Sequence, residues 1–295
     1  MKKIVLLVTL GGPKTLGEVN DFLVRFIGRE LPPPVVRSAI ERYRLIGGGS
    51  PLNSITENQA LLLNQRLGED YLCLPAFRYM PPFIADAINL ALNSEPSHIY
   101  FLSMSPYYAT VTTGNYIDCA KVYIAKLGVD MPVTYIHSWH KNELFLQSWA
   151  NKIKSETSDD NCFYLFSAHS LPVKYASDPY KGQIEETVEN IAKILMLKNF
   201  TLGWQSVPSN VTEEWFSPTV EERIDEAVNN GFKKIIQIPI GFTADHIETL
   251  YDIDIVHKGY AEQKGVEYKR ISSLNTDELF IKALEDIVKN SEQRG

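Results

Sequence analysis

Cysteine is scarce in this chain: Cys73, Cys119 and Cys162 are odd in number and far apart. That spacing offers neither a disulfide framework nor the grouped thiols of a cysteine-held cluster. Each lies in or beside an apolar stretch, where a thiol packs as a small hydrophobe, so they read as core residues in a reducing compartment. No apolar run approaches the roughly 20 residues that a membrane-spanning helix needs. The run after Lys3 is broken at Gly11-Gly12-Pro13 without a small-residue cleavage site, so it reads as a buried strand and not as a leader. A basic stripe interleaved with aromatics is missing too, and a net charge of −7 argues against nucleic acid as a partner. Low-complexity tracts and short-period repeats are absent. What these absences leave is a cytoplasmic globular protein, with peripheral contact at the inner membrane left open. Its 295 residues suffice for two domains or one large unit.

The chain alternates short apolar runs with longer helical patterns. Strands are expected at 4–9, 71–76, 99–104, 133–137, 163–167, 201–205, 235–239 and 267–271. Helices are expected near 16–26, 54–67, 83–92, 113–125, 143–154, 184–195, 220–229, 247–261 and 276–288. Continuous Val/Ile/Leu strands between amphipathic helices indicate parallel sheets covered on both faces. One βα series ends near His140, and a second starts near Phe163 after the polar stretch 155–161. The fold class is therefore α/β, with two doubly wound domains, 1–142 and 143–295, and a cleft between them. In such sheets ligands sit beyond the carboxyl ends of the strands.

Three polar clusters attract attention. Ser167-Ala168-His169-Ser170-Leu171-Pro172 puts a histidine directly after a strand, between small residues and before a proline. Alone, such a histidine is more often a satisfied structural group. The second cluster shifts that balance. It spans 241–254, follows the strand 235–239, and sets Asp245, Glu248 and Asp252 at helical spacing in one stripe. Like charges so placed raise one another's pKa unless a cation or proton intervenes. Helix capping accounts for Asp245, and the helix dipole for Glu248. Asp252, a turn farther on, is left over, which favours a path for a cation or a proton. The third cluster, Gly47-Gly48-Gly49-Ser50-Pro51, follows a helix and matches no phosphate-cradle motif. A backbone turn that closely approaches a flat ligand is the better fit.

In order along the chain, several stretches resemble the ferrochelatases, enzymes that place iron(II) in a porphyrin. They are Leu10-Gly11-Gly12-Pro13, Tyr43 with Gly47-Gly48-Gly49-Ser50-Pro51, Phe77-Arg78-Tyr79, Thr112-Thr113-Gly114, the His169 segment, Trp204-Gln205-Ser206, Trp215 and Asp245-His246-Ile247-Glu248-Thr249-Leu250-Tyr251. The resemblance runs nearly end to end. It implies two Rossmann-like domains with a porphyrin cleft between them, of the class II chelatase type, and a lip at 26–34. It further implies His169 and Glu248 as catalytic groups facing each other across the macrocycle, with His169, Glu248 and Asp252 toward the metal. Asp245 and His246 would support Glu248, in a helix with a π-type widening. Leu10, Tyr43, Ser50, Arg78, Tyr79 and Trp215 would contact the porphyrin. The implied substrates are porphyrin and ferrous iron, with no tightly bound cofactor.

Metallation replaces two pyrrole N–H protons by the metal. Neutral imidazole accepts protons near neutral pH and also ligates iron, so His169 is either proton acceptor or metal-facing ligand. Arg78 pairs with a propionate, guides iron or makes a structural salt bridge; Tyr79 and Trp215 wall the ring or are ordinary core. Some members of the family bind an iron–sulfur cluster through grouped cysteines, which this chain lacks, so no cluster is expected. Leu10 stands where members acting on coproporphyrin often have a tyrosine, which leans toward protoporphyrin IX. Val256 stands where the acidic stripe often continues, and 207–214 departs from the usual link to Trp215; Arg29 and Arg37 are nearby candidates for propionates. The expected function is iron insertion into protoporphyrin IX. The alternatives are coproporphyrin III, another metal or tetrapyrrole, or a non-catalytic haem carrier.

Overall fold

The computed structural model describes residues 1–157, 162–208 and 212–293; part of the expected divider 155–161 and part of 207–214 lie outside the described residues. Eight strands form among the described residues, each overlapping a segment expected as strand. They are β1 (Lys3–Thr9), β2 (Tyr71–Phe77), β3 (His98–Ser103), β4 (Val133–Ile136), β5 (Phe163–His169), β6 (Phe200–Gln205), β7 (Lys234–Ile238) and β8 (Glu267–Arg270). They build two four-stranded sheets, ordered β2-β1-β3-β4 and β6-β5-β7-β8, with every pairing parallel. Each order reverses between its first strand and its third, creating the switch point at which such sheets bind ligands. The result is a two-lobed α/β fold with a central cleft.

Alternation along β1 explains the layering. Val5 and Leu7 face a core shared by both lobes, where Trp149, Phe166, Ile238 and Phe280 also pack. Ile4, Leu6 and Val8 face a second core with Ile84, Ile88 and Tyr116. All five are wholly buried, as a strand covered on both faces requires. A third core, around Leu165, Ile224 and Ile235, backs the second sheet.

The helices among the described residues are α1 (Val19–Ile27), α2 (Pro33–Leu45), α3 (Leu52–Leu67), α4 (Ile84–Leu92), α5 (Asn115–Leu127), α6 (Glu143–Glu156), α7 (Tyr180–Leu195), α8 (Val220–Asn229), α9 (Lys258–Gln263) and α10 (Glu278–Glu292). The chain reads as a proline-rich lip between 26 and 34, and the structure makes it a break between two helices. Gly28 ends α1 at φ +80°, and Pro33 starts α2 at its first position. Phe26, Ile27 and Val35 are exposed there. Two segments expected as helix begin as π-helix: Thr110–Gly114 before α5, and Glu248–His257 before α9, the second in line with the widening that the resemblance implies. α10 returns to the first sheet, where Glu285 pairs with Arg66 at 2.8 Å and Glu292 with Lys3 at 3.2 Å. No described helix is long and apolar enough to cross a membrane.

Candidate active site between the lobes

The site lies at the carboxyl edge of the second sheet. β5 delivers His169, which pairs in register with Gln205 at the end of β6. β7 leads through a tight loop into the π-helix. Gly241 lets that loop pass β5, since a Cβ there would stand 2.8 Å from the Ala168 Cβ. His169 Nδ1 lies 2.5 Å from the Ser170 carbonyl, an acceptor, so Nδ1 carries the proton and Nε2 is turned elsewhere. It faces Glu248 Oε1 at 3.7 Å. His246 repeats the arrangement: Nδ1 lies 3.2 Å from the Ala244 carbonyl, and Nε2 is 3.4 Å from Glu248 Oε2. Each carboxylate oxygen thus meets one imidazole. Burial alone would raise the Glu248 pKa, but His169 and His246 outweigh it and hold the group at about 2.

This geometry corrects the expectation that His169 and Glu248 face each other across a macrocycle. At 3.7 Å no ring fits between them, so both lie on one side of any ring the cleft would hold.

The acidic stripe is shorter than its spacing implies. Asp252 accepts a 2.6 Å hydrogen bond from Ser206 Oγ. Burial pushes the Asp252 carboxyl up and Glu248 adds to that, while Ser206, Arg42 and His169 oppose. Asp245 is not part of the stripe, because the chain turns helical only at Ile247. Asp245 instead accepts from Arg270 Nη1 at 2.7 Å, Asn275 Nδ2 at 2.8 Å, Thr249 Oγ1 at 3.0 Å and the Ser273 N–H at 3.3 Å. Burial opposes its charge, yet Arg270 and these donors keep its pKa low. It anchors the loop beneath the helix and makes no hydrogen bond to Glu248 among the described residues; His246 alone of the two supporting residues does so. No group of three or more His, Cys, Asp or Glu stands ready to hold a metal among the described residues.

The walls come from both lobes. Leu10 and His246 line one cavity with Met104 and Phe242. Tyr43 is buried on α2; burial raises its hydroxyl pKa and Glu248 adds to it. Ser50 is buried against Gly12, with its N–H on the Pro13 carbonyl at 2.7 Å and its Oγ accepting from the Leu52 N–H at 3.3 Å. The glycine run, read as an approach to a flat ligand, has a nearer cause. A Cβ on Gly49 would stand 2.1 Å from the Lys14 carbonyl oxygen, and Gly47 and Gly48 hold φ of +104° and +98°. Loop docking requires those glycines. Arg78 Nε donates to Asn115 Oδ1 at 2.8 Å, and its guanidinium lies 4.9 Å from the centre of the Tyr79 ring, which packs edge-on against Phe26. Trp215 is half-buried, its ring centre 6.5 Å from that of His169. Tyr116, buried in the core of the first lobe, feels charges from both lobes. Burial raises its hydroxyl pKa, Tyr79 and Glu248 add to it, and Arg78 opposes, so groups of both lobes surround one phenol.

Four residues that the sequence reading gave no role belong to this site. Gln205 Nε2 donates to the Glu248 carbonyl at 3.0 Å. Ser206 holds Asp252 from a left-handed backbone at φ +65°. Arg42 reaches from α2 over the Tyr251 ring at 5.3 Å, and Asn115 holds Arg78. Gln205 and Ser206 carried one signal, their place at a strand end; nothing local marks the other two.

The chain matches the family description "Ferrochelatase" over residues 2–292. It is 34% identical to a ferrochelatase of Geotalea daltonii, covering 100% of this chain and 99% of that protein. It is 36% identical to a coproporphyrin III ferrochelatase of Geobacillus thermodenitrificans, covering 88% of this chain and 86% of that protein. Among solved structures, SirB from Bacillus subtilis with Fe3+ superposes with a TM-score of 0.65 at 12% identity, covering 99% of this chain and 96% of that one. At that identity the likeness is one of fold.

Proposed function

The chain belongs to the ferrochelatase family, and we propose that it inserts ferrous iron into protoporphyrin IX with release of two protons. The coarser statement, a metal chelatase acting on a tetrapyrrole, follows from the family. In the finer reading residues 1–142 supply the wall with Arg78 and Tyr79, and residues 143–295 supply His169 and the acidic helix. The observation that carries it is the pair His169 Nε2 and Glu248 Oε1, 3.7 Å apart at the edge of the cleft.

The two pyrrole N–H bonds break as iron bonds to the four ring nitrogens, and both protons must leave the ring. His169 takes one at Nε2. Nδ1 is already committed to the Ser170 carbonyl, and Glu248 supplies the counter-charge once Nε2 is protonated. His246 keeps Glu248 ionised, and Asp252, whose raised pKa suits it to hold a proton, receives the next. Iron is a substrate in passage, served by His169, Glu248 and Asp252 in turn. Arg78, with no ion-pair partner among the described residues, pairs with a propionate. Bending of the ring by the walls exposes the nitrogen lone pairs to one face, drawing on binding energy at the periphery.

Coproporphyrin III is the second reading. The Geobacillus relative's name favours it, while Leu10 favours protoporphyrin IX. The test mixes purified protein anaerobically with iron(II) and each porphyrin separately and follows absorbance. Catalytic turnover with protoporphyrin IX and little with coproporphyrin III supports the proposal. The reverse preference assigns the second reading, and one equivalent bound without insertion makes the protein a carrier.

A further inference from the structure

The aim of Arg78 is set by two neighbours in its own lobe, Asn115 and Tyr79. Its Nε–H is taken by Asn115 Oδ1 at 2.8 Å, and its guanidinium carbon lies 4.9 Å from the centre of the Tyr79 ring. These two contacts leave the Nη groups to meet an anion. Those Nη groups make no hydrogen bond or ion pair among the described residues.

Asn115 is in turn presented by the short π-helix Thr110–Gly114, of which it is the next residue. That helix is gripped from two sides. Inside its own lobe, buried Thr113 Oγ1 lies 3.0 Å from Ser103 Oγ and donates to the Tyr107 carbonyl at 3.3 Å. From the other lobe, the carboxylate of Asp178 accepts both the Thr110 N–H at 2.7 Å and the Thr110 Oγ1–H at 2.8 Å. It satisfies backbone and side chain at the helix start, as an N-terminal cap does within one helix. The neighbouring contact strengthens the dock: Gln183 Oε1 on α7 accepts the Tyr108 N–H at 2.8 Å. Tyr180, two residues beyond Asp178, donates to the His169 carbonyl at 3.0 Å. One short stretch of the second lobe therefore touches both the base-bearing strand end and the helix behind Arg78.

We propose that Asn115 is a positioning residue for the Arg78 guanidinium, and that Asp178 fixes it from across the cleft by capping the helix that carries it. The inference rests on the reading of Arg78 as the grip on a tetrapyrrole carboxylate. It adds that this grip is correctly aimed only when the two lobes are docked through Asp178 and Thr110.

The test is a double-mutant cycle in the full chain, reading protoporphyrin IX affinity by fluorescence quenching and KM and kcat by iron insertion. A hydrogen bond to a charged group is worth enough that Asn115→Ala should raise the porphyrin Kd and KM roughly tenfold, with a much smaller change in kcat. Asp178→Asn, which keeps shape and removes charge, should raise them by roughly threefold. In an Arg78→Ala background both penalties should vanish, because the residue they act through is gone. If the Asn115→Ala penalty persists in that background, Asn115 is merely structural and the inference fails while the reading of Arg78 stands. If Arg78→Ala by itself leaves porphyrin affinity unchanged, the reading of Arg78 fails first and takes the inference with it. Asp178→Asn leaves the fold's cores untouched, so it reports even if Asn115→Ala impairs folding.

Discussion

Replacing Glu248 by glutamine keeps the shape of the side chain and removes its charge. In the native site the carboxylate is about one-quarter exposed, 3.7 Å from His169 Nε2 and 3.4 Å from His246 Nε2. A full charge on Nε2 at that first distance interacts with the carboxylate by about 4 kcal/mol at an effective dielectric of about 20. Under the proposed mechanism that interaction is lost from the transition state in which a ring proton arrives at Nε2. Partial solvent screening and the remaining amide dipole trim the effect, so kcat should fall by about 10²–10³, within the usual span for a general base. Porphyrin binding should survive, because the ring is gripped by the walls and by Arg78. The assay is anaerobic iron insertion into protoporphyrin IX, with fluorescence titration of the porphyrin alone. A Glu248→Gln protein that turns over within tenfold of the parent refutes the reasoning. So does one whose loss of turnover is matched by an equal loss of porphyrin affinity, since the carboxylate would then be a wall and not part of the proton path.

Gly49→Ala should destabilise the fold by about 3 kcal/mol, because the Lys14 carbonyl that its Cβ would meet is backbone and cannot swing away. Gly259→Ala, with open space at the same test position inside α9, should be neutral or stabilising by about 0.5–1 kcal/mol; urea unfolding of the pair decides. Asp245→Ala should cost about 3–5 kcal/mol by leaving Arg270 partly unpaired in a buried setting, and near-parent stability would remove its role as anchor. His257 is wholly buried with its pKa pushed down to about 3 by burial, so below pH 6.5 the unfolded chain takes up a proton that the folded one does not. Stability should therefore fall on acidification, by about 2 kcal/mol from this group between pH 7 and 5, and His257→Leu should narrow the measured difference by that amount.

The architecture was legible because continuous apolar strands and amphipathic helices follow from burial alone, and burial is local in its demands. Seven of the eight described strands sit where Val, Ile, Leu and Phe accumulate, and the last, Glu267–Arg270, is an edge strand with only Tyr268 buried. The site was legible in its residue types and less so in its geometry. His169 and Glu248 stand out because each follows a strand end, but which side of a ring they occupy depends on how two loops meet, and no spacing encodes that. Asp245 misled for a definite reason: its distance of three residues from Glu248 means one face only if the chain between them is helical, and the helix begins later. The glycines at 47–49 gave a true signal of tight backbone and no hint of what lies against it. Arg42, Asn115 and Asp178 were silent, since a contact between lobes leaves no periodic trace in either partner.

The widened acidic helix carries a core repeat that is legible in the sequence. Its inward residues are Thr249, Ile253 and His257, a repeat of four. An α-helix of 3.6 residues per turn would rotate that stripe by about 40° at each step, and by about 80° over two. The wider winding turns a four-residue repeat by a small angle in the opposite sense, so all three residues stay against the core, and Glu248 and Asp252, also four apart, share one flank. The companion lobe repeats the placement. Its π-helix also follows the third strand of a sheet with the same strand order, yet it is built from Thr110-Val111-Thr112-Thr113-Gly114 and bears no charge. Two copies of one topology thus present two widened helices near one cleft, and only one of them was given acids. The division of labour proposed above, proton traffic on one side and orientation of the substrate through Asn115 and Arg78 on the other, would then rest on side chains substituted onto a shared backbone.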